Sequence, residues 1–275
     1  MSNDYKARYK ATLASLQRLV GYPIEAPDAS TASYVASGEL MEYVKSVGLK
    51  TGVSIGGKDM KRIGRLLVAD DAYDFSTPSP ARLEAKQRQL VDSYFLIRAI
   101  LQKDAPSTRR LIESGADVDA RCWLDEDHSY FPLIQAAIVG SPEIVRLLVE
   151  SGADINQQQM NGESALANAA NIASREHLQI AQYLLAHGAN PNTIAHGKLT
   201  PLAVADNSAM VRLLLDHGAD PNIPDIDGNL PIRARIDNGD WESVSMLVAA
   251  GTNLDHRNKN GVSPRDRAKK LGVEL

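Results

Sequence analysis

A five-fold alternation of apolar stripes and polar turns runs through the C-terminal two thirds of the chain. Each stripe has apolar residues at helical spacing and stops at a glycine, as in LLVESGADIN (147–156). This pattern predicts an amphipathic helix that is closed by a left-handed residue. The five glycines, which are 37, 36, 30 and 33 residues apart, are Gly115, Gly152, Gly188, Gly218 and Gly251. A period in this range predicts a stack of repeated units.

A second, shorter helix is expected before each stripe. In residues 131–156, Pro132 is placed to open a helix and Gly140 to end it. Ser141 and Pro142 then repeat the start signal, with the serine as the capping residue. Each unit is therefore predicted to be a helix pair followed by an extended segment that points outward.

These residues resemble the ankyrin repeat. The run TPLA at 200–203, the pattern FPL..AA at 131–137 and the G-A-D/N phrases match its motif. The resemblance covers about residues 92–275 and implies an all-α dominated repeat solenoid, with two antiparallel helices and a β-hairpin finger in each repeat. Repeats are expected at about 92–119, 131–156, 164–192, 200–222 and 230–255, with SPRDRAKKLG (263–272) as an incomplete capping unit.

The N-terminal part of the chain does not match the repeat. Apolar spacing predicts helices within 5–20, 33–47 and 58–69, separated by turns rich in Pro and Gly. A longer helix is expected to begin at Pro80 and to run through Leu101 into the first repeat. We therefore expect a helical N-terminal capping region over residues 1–90, docked without a flexible linker on an ankyrin-repeat domain over residues 91–275.

Composition and charge narrow the class of partner. The net charge is −4; residues 1–90 have 13 Lys/Arg against 10 Asp/Glu, whereas residues 91–275 have 17 against 24. An acidic array argues against a nucleic-acid partner, because such binding depends on clustered positive charge. Cys122 is the only cysteine, and no apolar run is long enough for a membrane helix. We expect a cytoplasmic, soluble protein that does not bind membranes and is monomeric without its partner.

The motifs that would indicate nucleotide or metal binding are incomplete in this sequence. Residues 52–59, GVSIGGKD, differ by one residue from a phosphate-binding loop, because Asp59 replaces the hydroxyl that would bind magnesium. The run Asp225 to Gly228 lacks the remaining ligands of a calcium loop. His187 and His217 occupy equivalent phrases and reflect the repetition of the sequence. No catalytic residue, cofactor or metal is expected.

The first finger is the longest irregular segment between repeats and holds most of the candidate partner-binding residues. It places Trp123 and Tyr130 around an acidic run that includes Asp125 and His128. Exposed aromatic side chains at a loop tip are typical anchors of a protein interface. In the alternative interpretation, Trp123 and Phe131 pack onto the N-terminal segment.

Two arginines in the fifth repeat complete the candidate set. Arg233 and Arg235 lie in PIRARI, where the ankyrin motif usually has a histidine and a small buried residue. They are expected on the concave face, where ankyrin proteins often bind. The alternative is that the guanidinium groups lie along the neighbouring helix and cover it.

The sequence thus predicts a non-catalytic module that binds a specific protein through its fingers and concave face. A narrower hypothesis is that it acts as an inhibitor or immunity-type protein that occludes its partner. The alternative is an enzyme or effector whose active site lies in residues 1–90, with the repeats as a substrate-recognition domain.

Overall fold

The computed structural model describes residues 80–123 and 129–275. The three helices expected before residue 70 and the motif at 52–59 lie outside the described residues. The chain divides after Pro132 into two compact units, and each is treated by itself below. The predicted boundary between residues 90 and 91 stays a prediction. Within the described residues helices dominate, as the resemblance implied.

In the first unit, a long helix is followed by a short one and by a small hairpin. These elements are α1 (Pro80–Leu101), α2 (Ala105–Glu113), β1 (Cys122–Trp123) and β2 (Ser129–Tyr130). The strands pair antiparallel, with Cys122 opposite Tyr130. Helix α1 begins at the predicted proline, and its residues 91–97 are all buried. A helix that is buried around its whole circumference forms part of a core.

The second unit consists of helix pairs. Its helices are α3 (Pro132–Val139), α4 (Pro142–Glu150), α5 (Ala165–Ala170), α6 (Arg175–Ala186), α7 (Pro201–Val204), α8 (Ser208–Asp216), α9 (Ile232–Asn238), α10 (Trp241–Ala249) and α11 (Pro264–Lys270). The first eight form four pairs at the positions where four repeats were expected. Helix α11 is the expected capping helix.

Stacking of equivalent helices builds the core of the second unit. The second helices of the pairs contact one another in the order α4, α6, α8 and α10; among the first helices, α5 contacts α7 and α9 contacts α11. One leucine of each second helix is completely buried: Leu148, Leu184, Leu214 and Leu247. A single repeat could not bury these side chains alone, and neighbouring repeats supply the missing contacts.

The repeated glycine closes the second helix of each pair, as predicted. Gly152 has a φ of +92°, and a Cβ at this position would meet no atom within 4 Å. The next N–H, of Ala153, donates to the carbonyl of Leu148 at 3.0 Å. This bond satisfies a helix-end carbonyl, and the left-handed backbone that it requires suits a residue without a Cβ.

The predicted capping role of Ser141 is wrong in its detail. This serine precedes α4, but its side chain makes no capping hydrogen bond. Its ψ is 94°, whereas Ser164 and Thr200, which do cap their helices, have ψ of 166° and 162°. Asp240 caps α10 at a ψ of 73°. We infer that the longer aspartate side chain reaches the N–H from this backbone conformation and that the serine hydroxyl does not.

Candidate partner-binding surface

Four extended segments of equal length follow the helix pairs of the second unit. Fingers 1 to 4 are residues 153–164, 189–200, 219–230 and 252–263; the predicted first finger, around Trp123 and Tyr130, lies in the first unit and is not numbered among them. Each numbered finger starts at a buried residue directly after the closing glycine and ends directly before the next helix, except that Pro231 separates finger 3 from α9. Because the helices on either side are packed in the stack, the base of each finger is fixed.

A ladder of asparagines joins the bases of successive fingers. Asn156 in finger 1 donates through Nδ2 to the carbonyl of Gly188 at 3.2 Å. Its Oδ1 accepts from the N–H of Asn190 at 2.8 Å. One side chain thus satisfies two main-chain groups of the next repeat. The same pair of bonds is made by Asn192 and Asn222.

Main-chain hydrogen bonds also join the tips. The N–H of His196 donates to the carbonyl of Asn161 at 2.6 Å, and the N–H of Ile226 donates to Gly197 at 2.7 Å. Lys259 makes the equivalent bond to Asp227 at 2.9 Å. The four fingers therefore form one connected edge, since each touches the next at its base and at its tip.

One side chain from each finger lies at this edge in an equivalent position, seven residues after the first residue of its finger. These four exposed residues, which we call the tip row, are Met160, His196, Ile226 and Lys259. Met160 is 81% exposed and Ile226 is 54% exposed. Two large apolar side chains thus alternate with two nitrogen-bearing ones along the edge.

The structure describes only part of the predicted first-finger site. Asp125 and His128 lie outside the described residues, and Trp123 is described by its backbone alone. Tyr130 is half-buried in β2, opposite Cys122. The base of this finger is a hairpin, and its role in binding stays a prediction.

Arg233 is engaged in contacts within the second unit. Its Nε donates to Oδ2 of Asp237 at 2.8 Å, and one terminal nitrogen donates to Oδ1 of Asn229 at 2.9 Å. Asp237 also accepts from Arg267 of the capping helix at 2.5 Å. About a third of the Arg233 side chain remains exposed, so the residue can still contribute to a surface.

Arg235 lies inside the stack, with 6% of its surface exposed. It donates to the main-chain carbonyl of Ala205 in the preceding repeat. Burial lowers the pKa of the guanidinium, and the nearby carboxylates of Asp240 and Asp206 oppose this shift. This position favours the alternative interpretation, in which the guanidinium group of Arg235 covers the neighbouring helix. It corrects the expectation that Arg235 presents a charge to the partner.

The state of the Cys122 thiol and the placement of metal-ligating side chains bear on the chemistry possible within residues 80–123 and 129–275. The Cys122 thiol is buried, and the loss of solvation raises its pKa to about 12, so the thiol stays protonated at neutral pH. Over the same ranges, His, Cys, Asp and Glu side chains form no cluster of three suited to a metal ion. No helix in them has the length and apolar character needed to cross a membrane.

Comparison with known proteins gives a consistent result. Residues 133–225 match the family model described as ankyrin repeats (3 copies). An ankyrin repeat protein of Escherichia coli (strain K12) is 29% identical over 163 residues, which cover 56% of this chain and 77% of the relative. An ankyrin repeat protein of Fowlpox virus (strain NVSL) is 32% identical over 174 residues, covering 59% and 50% respectively.

A third relative is a larger protein. An E3 ubiquitin-protein ligase of Arabidopsis thaliana is 31% identical over 130 residues, which cover 45% of this chain and 8% of the ligase. The chain thus spans half or less of the length of the viral and plant relatives.

Proposed function

We propose, from the premise that this chain is an ankyrin-repeat protein, that it binds one specific protein partner through its fingers and has no catalytic activity of its own. Ankyrin repeats are protein–protein interaction modules. The observation that carries the proposal is the connected finger edge, on which large apolar side chains are exposed in register. Because hydrogen bonds fix the main chain of the edge, its backbone loses little freedom on binding, which lowers the entropic cost of association.

The predicted first-finger residues and Arg233 stay candidate partner contacts. Trp123, Asp125, His128 and Tyr130 would contribute from the first unit, and Arg233 would contribute from the second. A typical stable interface needs about 800 Å² from each partner, more than a single finger supplies. Binding across several fingers is therefore the expected arrangement.

The narrower form of the proposal is an inhibitor or immunity-type protein that occludes its partner. Such a protein would act in the cytoplasm and would be monomeric before it binds. The prediction is a complex of fixed stoichiometry in which the partner loses an activity as the chain is titrated in. A scaffold would instead hold several partners at once and leave their activities intact.

A second candidate function is an enzyme or effector whose active site lies in residues 1–90. The relative named as an E3 ubiquitin-protein ligase favours this candidate. The part of that ligase that aligns with this chain is a small part of it, so a segment similar to these repeats occurs there within a protein named as an enzyme. In this case the repeats would present a substrate. Activity of the full chain that is abolished by Lys58→Ala would support this function against the first.

Affinity capture from the native host tests the proposal. Three full-length baits are compared: the unchanged chain, the double variant Met160→Ser with Ile226→Ser, and the control Leu271→Ser. Leu271 is 48% exposed and lies outside the fingers. One stoichiometric partner that is lost with the double variant and kept with the control supports the proposal. Failure of the folded, unchanged bait to retain any partner contradicts it.

The first finger is tested with the same readout. The double variant Trp123→Ala with Tyr130→Ala should keep its melting temperature and lose affinity for the captured partner. Substantial destabilisation would instead show that the aromatic side chains pack within the protein, which is the alternative stated from the sequence.

A further inference from the structure

Lys198 occupies a backbone position that the other three fingers fill with glycine. Nine residues after the first residue of its finger, each of the others has a left-handed glycine. These are Gly162, Gly228 and Gly261, with φ of +78°, +81° and +71°. Lys198 has a φ of +59°. A side chain is unfavourable in this conformation, so lysine costs folding stability where glycine would not.

The hydrogen-bond register confirms that these positions are equivalent. In fingers 1 and 3, the carbonyl of the residue directly before the glycine accepts from the next tip. In finger 2, the carbonyl of Gly197, directly before Lys198, accepts the corresponding bond from Ile226. The glycine of this finger has therefore moved one residue earlier, and a lysine stands in its place.

Among the described residues, no polar contact of the Lys198 side chain offsets this loss of stability. This side chain is exposed, and among the described residues its ammonium group makes no ion pair or hydrogen bond. The same finger has two exposed apolar side chains, since Ile194 is 49% exposed and Leu199 is 37% exposed. Backbone strain that the fold does not need is concentrated at functional sites.

The charge at this position is opposite to that of the second unit. Residues 133–275 have 12 Lys/Arg against 16 Asp/Glu, a difference of −4. The tip row nevertheless has Lys259, exposed and without an ion pair in the described part of the chain, and His196 beside Lys198. Arg257 in the same region is already paired, with Asp266 at 3.0 Å. Lys198 in finger 2 and Lys259 in finger 4 thus stand in the two fingers that bond to finger 3, which holds Ile226.

We propose that the tip row, together with Lys198, docks an extended segment of the partner protein that has apolar side chains and carboxylates. This inference rests on the proposed function and specifies the partner's chemistry. Met160, Ile194 and Ile226 receive the apolar side chains, and Lys198 and Lys259 receive the carboxylates. Lys198 is a specificity-determining residue, because it adds a positive charge to the finger that holds Ile194 and whose Gly197 carbonyl bonds to Ile226.

Asp227 adds a negative charge that contributes to this specificity. It is exposed next to Ile226, and its main-chain carbonyl is held by Lys259. A carboxylate of the partner is repelled there and attracted on either side. Asp225, also in finger 3, is engaged with Asn229 and with two main-chain N–H groups of its own turn. The edge therefore selects the spacing of acidic residues as well as their sign.

A matched set of synthetic peptides tests the inference with the full chain. The peptides share leucines at fixed positions and have Glu, Lys or Gln at the positions between them; binding is measured by fluorescence anisotropy. The Glu peptide should bind tightest, and its advantage should shrink in high salt because exposed charges are screened. Lys198→Glu should weaken the Glu peptide by about threefold to fivefold and strengthen the Lys peptide. Arg212→Glu, on the outer surface of α8, should change neither.

The variant Lys198→Gly separates binding from folding. It should lose affinity for the Glu peptide without any loss in melting temperature, because glycine relieves the left-handed backbone. A purely structural role for Lys198 would instead leave the affinity unchanged. Equal binding of the three peptides, or no effect of Lys198→Glu, overturns the inference.

Failure of this inference is distinguishable from failure of the proposed function. If affinity capture yields a stoichiometric partner whose binding Lys198→Glu does not change, the chain is a protein-binding module and the acidic, apolar occupant is wrong. If no partner is retained by the unchanged bait, the proposed function itself fails.

Discussion

The guanidinium of Arg235 donates a hydrogen bond to the main-chain carbonyl of Ala205 in the preceding repeat. Helix α7 has only four residues, and Ala205 lies just beyond its end. A carbonyl at a helix end has no partner within the helix and needs one from elsewhere. Helices α5 and α11 have an alanine where α9 has this arginine, namely Ala169 and Ala268. The long side chain thus compensates for the shortened neighbour.

Replacement of this arginine should destabilise the stack. Arg235→Ala removes the donor and leaves a buried carbonyl unpaired, which costs about 1–3 kcal/mol of unfolding free energy. Urea unfolding followed by circular dichroism measures the loss. The control Arg212→Ala, at an exposed position of α8, should change the free energy by less than about 0.5 kcal/mol. Equal effects of the two variants would contradict the compensating role.

The asparagine ladder should be a measurable source of coupling between repeats. Asn222→Ala removes one bond to the carbonyl of Gly251 at 3.1 Å and one from the N–H of Asn253 at 2.8 Å. We expect a loss of about 1–3 kcal/mol, since two bonds are removed and each net hydrogen bond contributes about 0.5–1.5 kcal/mol. Asn238→Ala is the control, because this exposed side chain makes no hydrogen bond among the described residues. A loss of unfolding free energy no larger than that of the control would show that hydrogen bonds to water compensate for the two that are removed.

Gly140 allows a steric effect to be separated from a backbone effect. A Cβ on Gly140 would lie 2.6 Å from Cε1 of His177, a buried side chain whose Nδ1 is 2.6 Å from Oγ of Ser174. Gly152 also has a positive φ, but its Cβ would meet nothing within 4 Å. Gly140→Ala should therefore destabilise the chain more than Gly152→Ala, by about 1–3 kcal/mol. Thermal and urea unfolding of the pair measure the difference, and equal losses would contradict the clash.

Asp237 should make stability depend on pH in a defined direction. Burial acts to raise the pKa of this carboxyl, but the hydrogen bonds and charges of Arg267 and Arg233 outweigh it and hold the pKa below its usual value. A carboxyl with a lowered folded-state pKa stabilises the protein above its unfolded pKa of about 3.9. This contribution is lost as the pH falls through the folded-state value.

The corresponding measurement compares Asp237→Asn with the unchanged chain across a pH series. The variant should be less stable by about 0.2–1 kcal/mol at neutral pH, as for a partly exposed ion pair. The difference should begin to shrink below about pH 4 and should vanish once the pH has fallen through the lowered folded-state pKa, because the unchanged side chain is then neutral, as the asparagine is. A difference that stays constant down to pH 2 would contradict the role of the arginines.

The helix pairs were predictable because their signals are local and repeated. A glycine such as Gly152 closes a helix through its own backbone, so its role can be inferred without knowledge of the neighbours. The asparagine ladder was missed, although Asn156, Asn192 and Asn222 stand at the same place in three phrases. Repetition of a polar side chain at one position was the available signal, and its partners become evident only when the repeats are stacked.

Two features required the structure. Lys198 follows a glycine in AHGKL, and only the register of the tip bonds shows which of the two residues takes the shared left-handed position. Arg235 was expected on the concave face or, in the alternative, along the neighbouring helix, and the sequence does not decide between the two. Its burial depends on the shortening of α7, in a repeat that is 30 residues earlier in the sequence.

Site-specific photo-crosslinking tests the central claim, that the finger edge is the surface that meets the partner. A photoreactive amino acid is placed at Ile226 in the tip row or at Val248, which is 37% exposed on α10, and each full-length variant is irradiated with the captured partner. Crosslinking at position 226 and its absence at 248 is the predicted result. Crosslinking at 248 alone, or equally at both positions, would contradict the assignment of the finger edge.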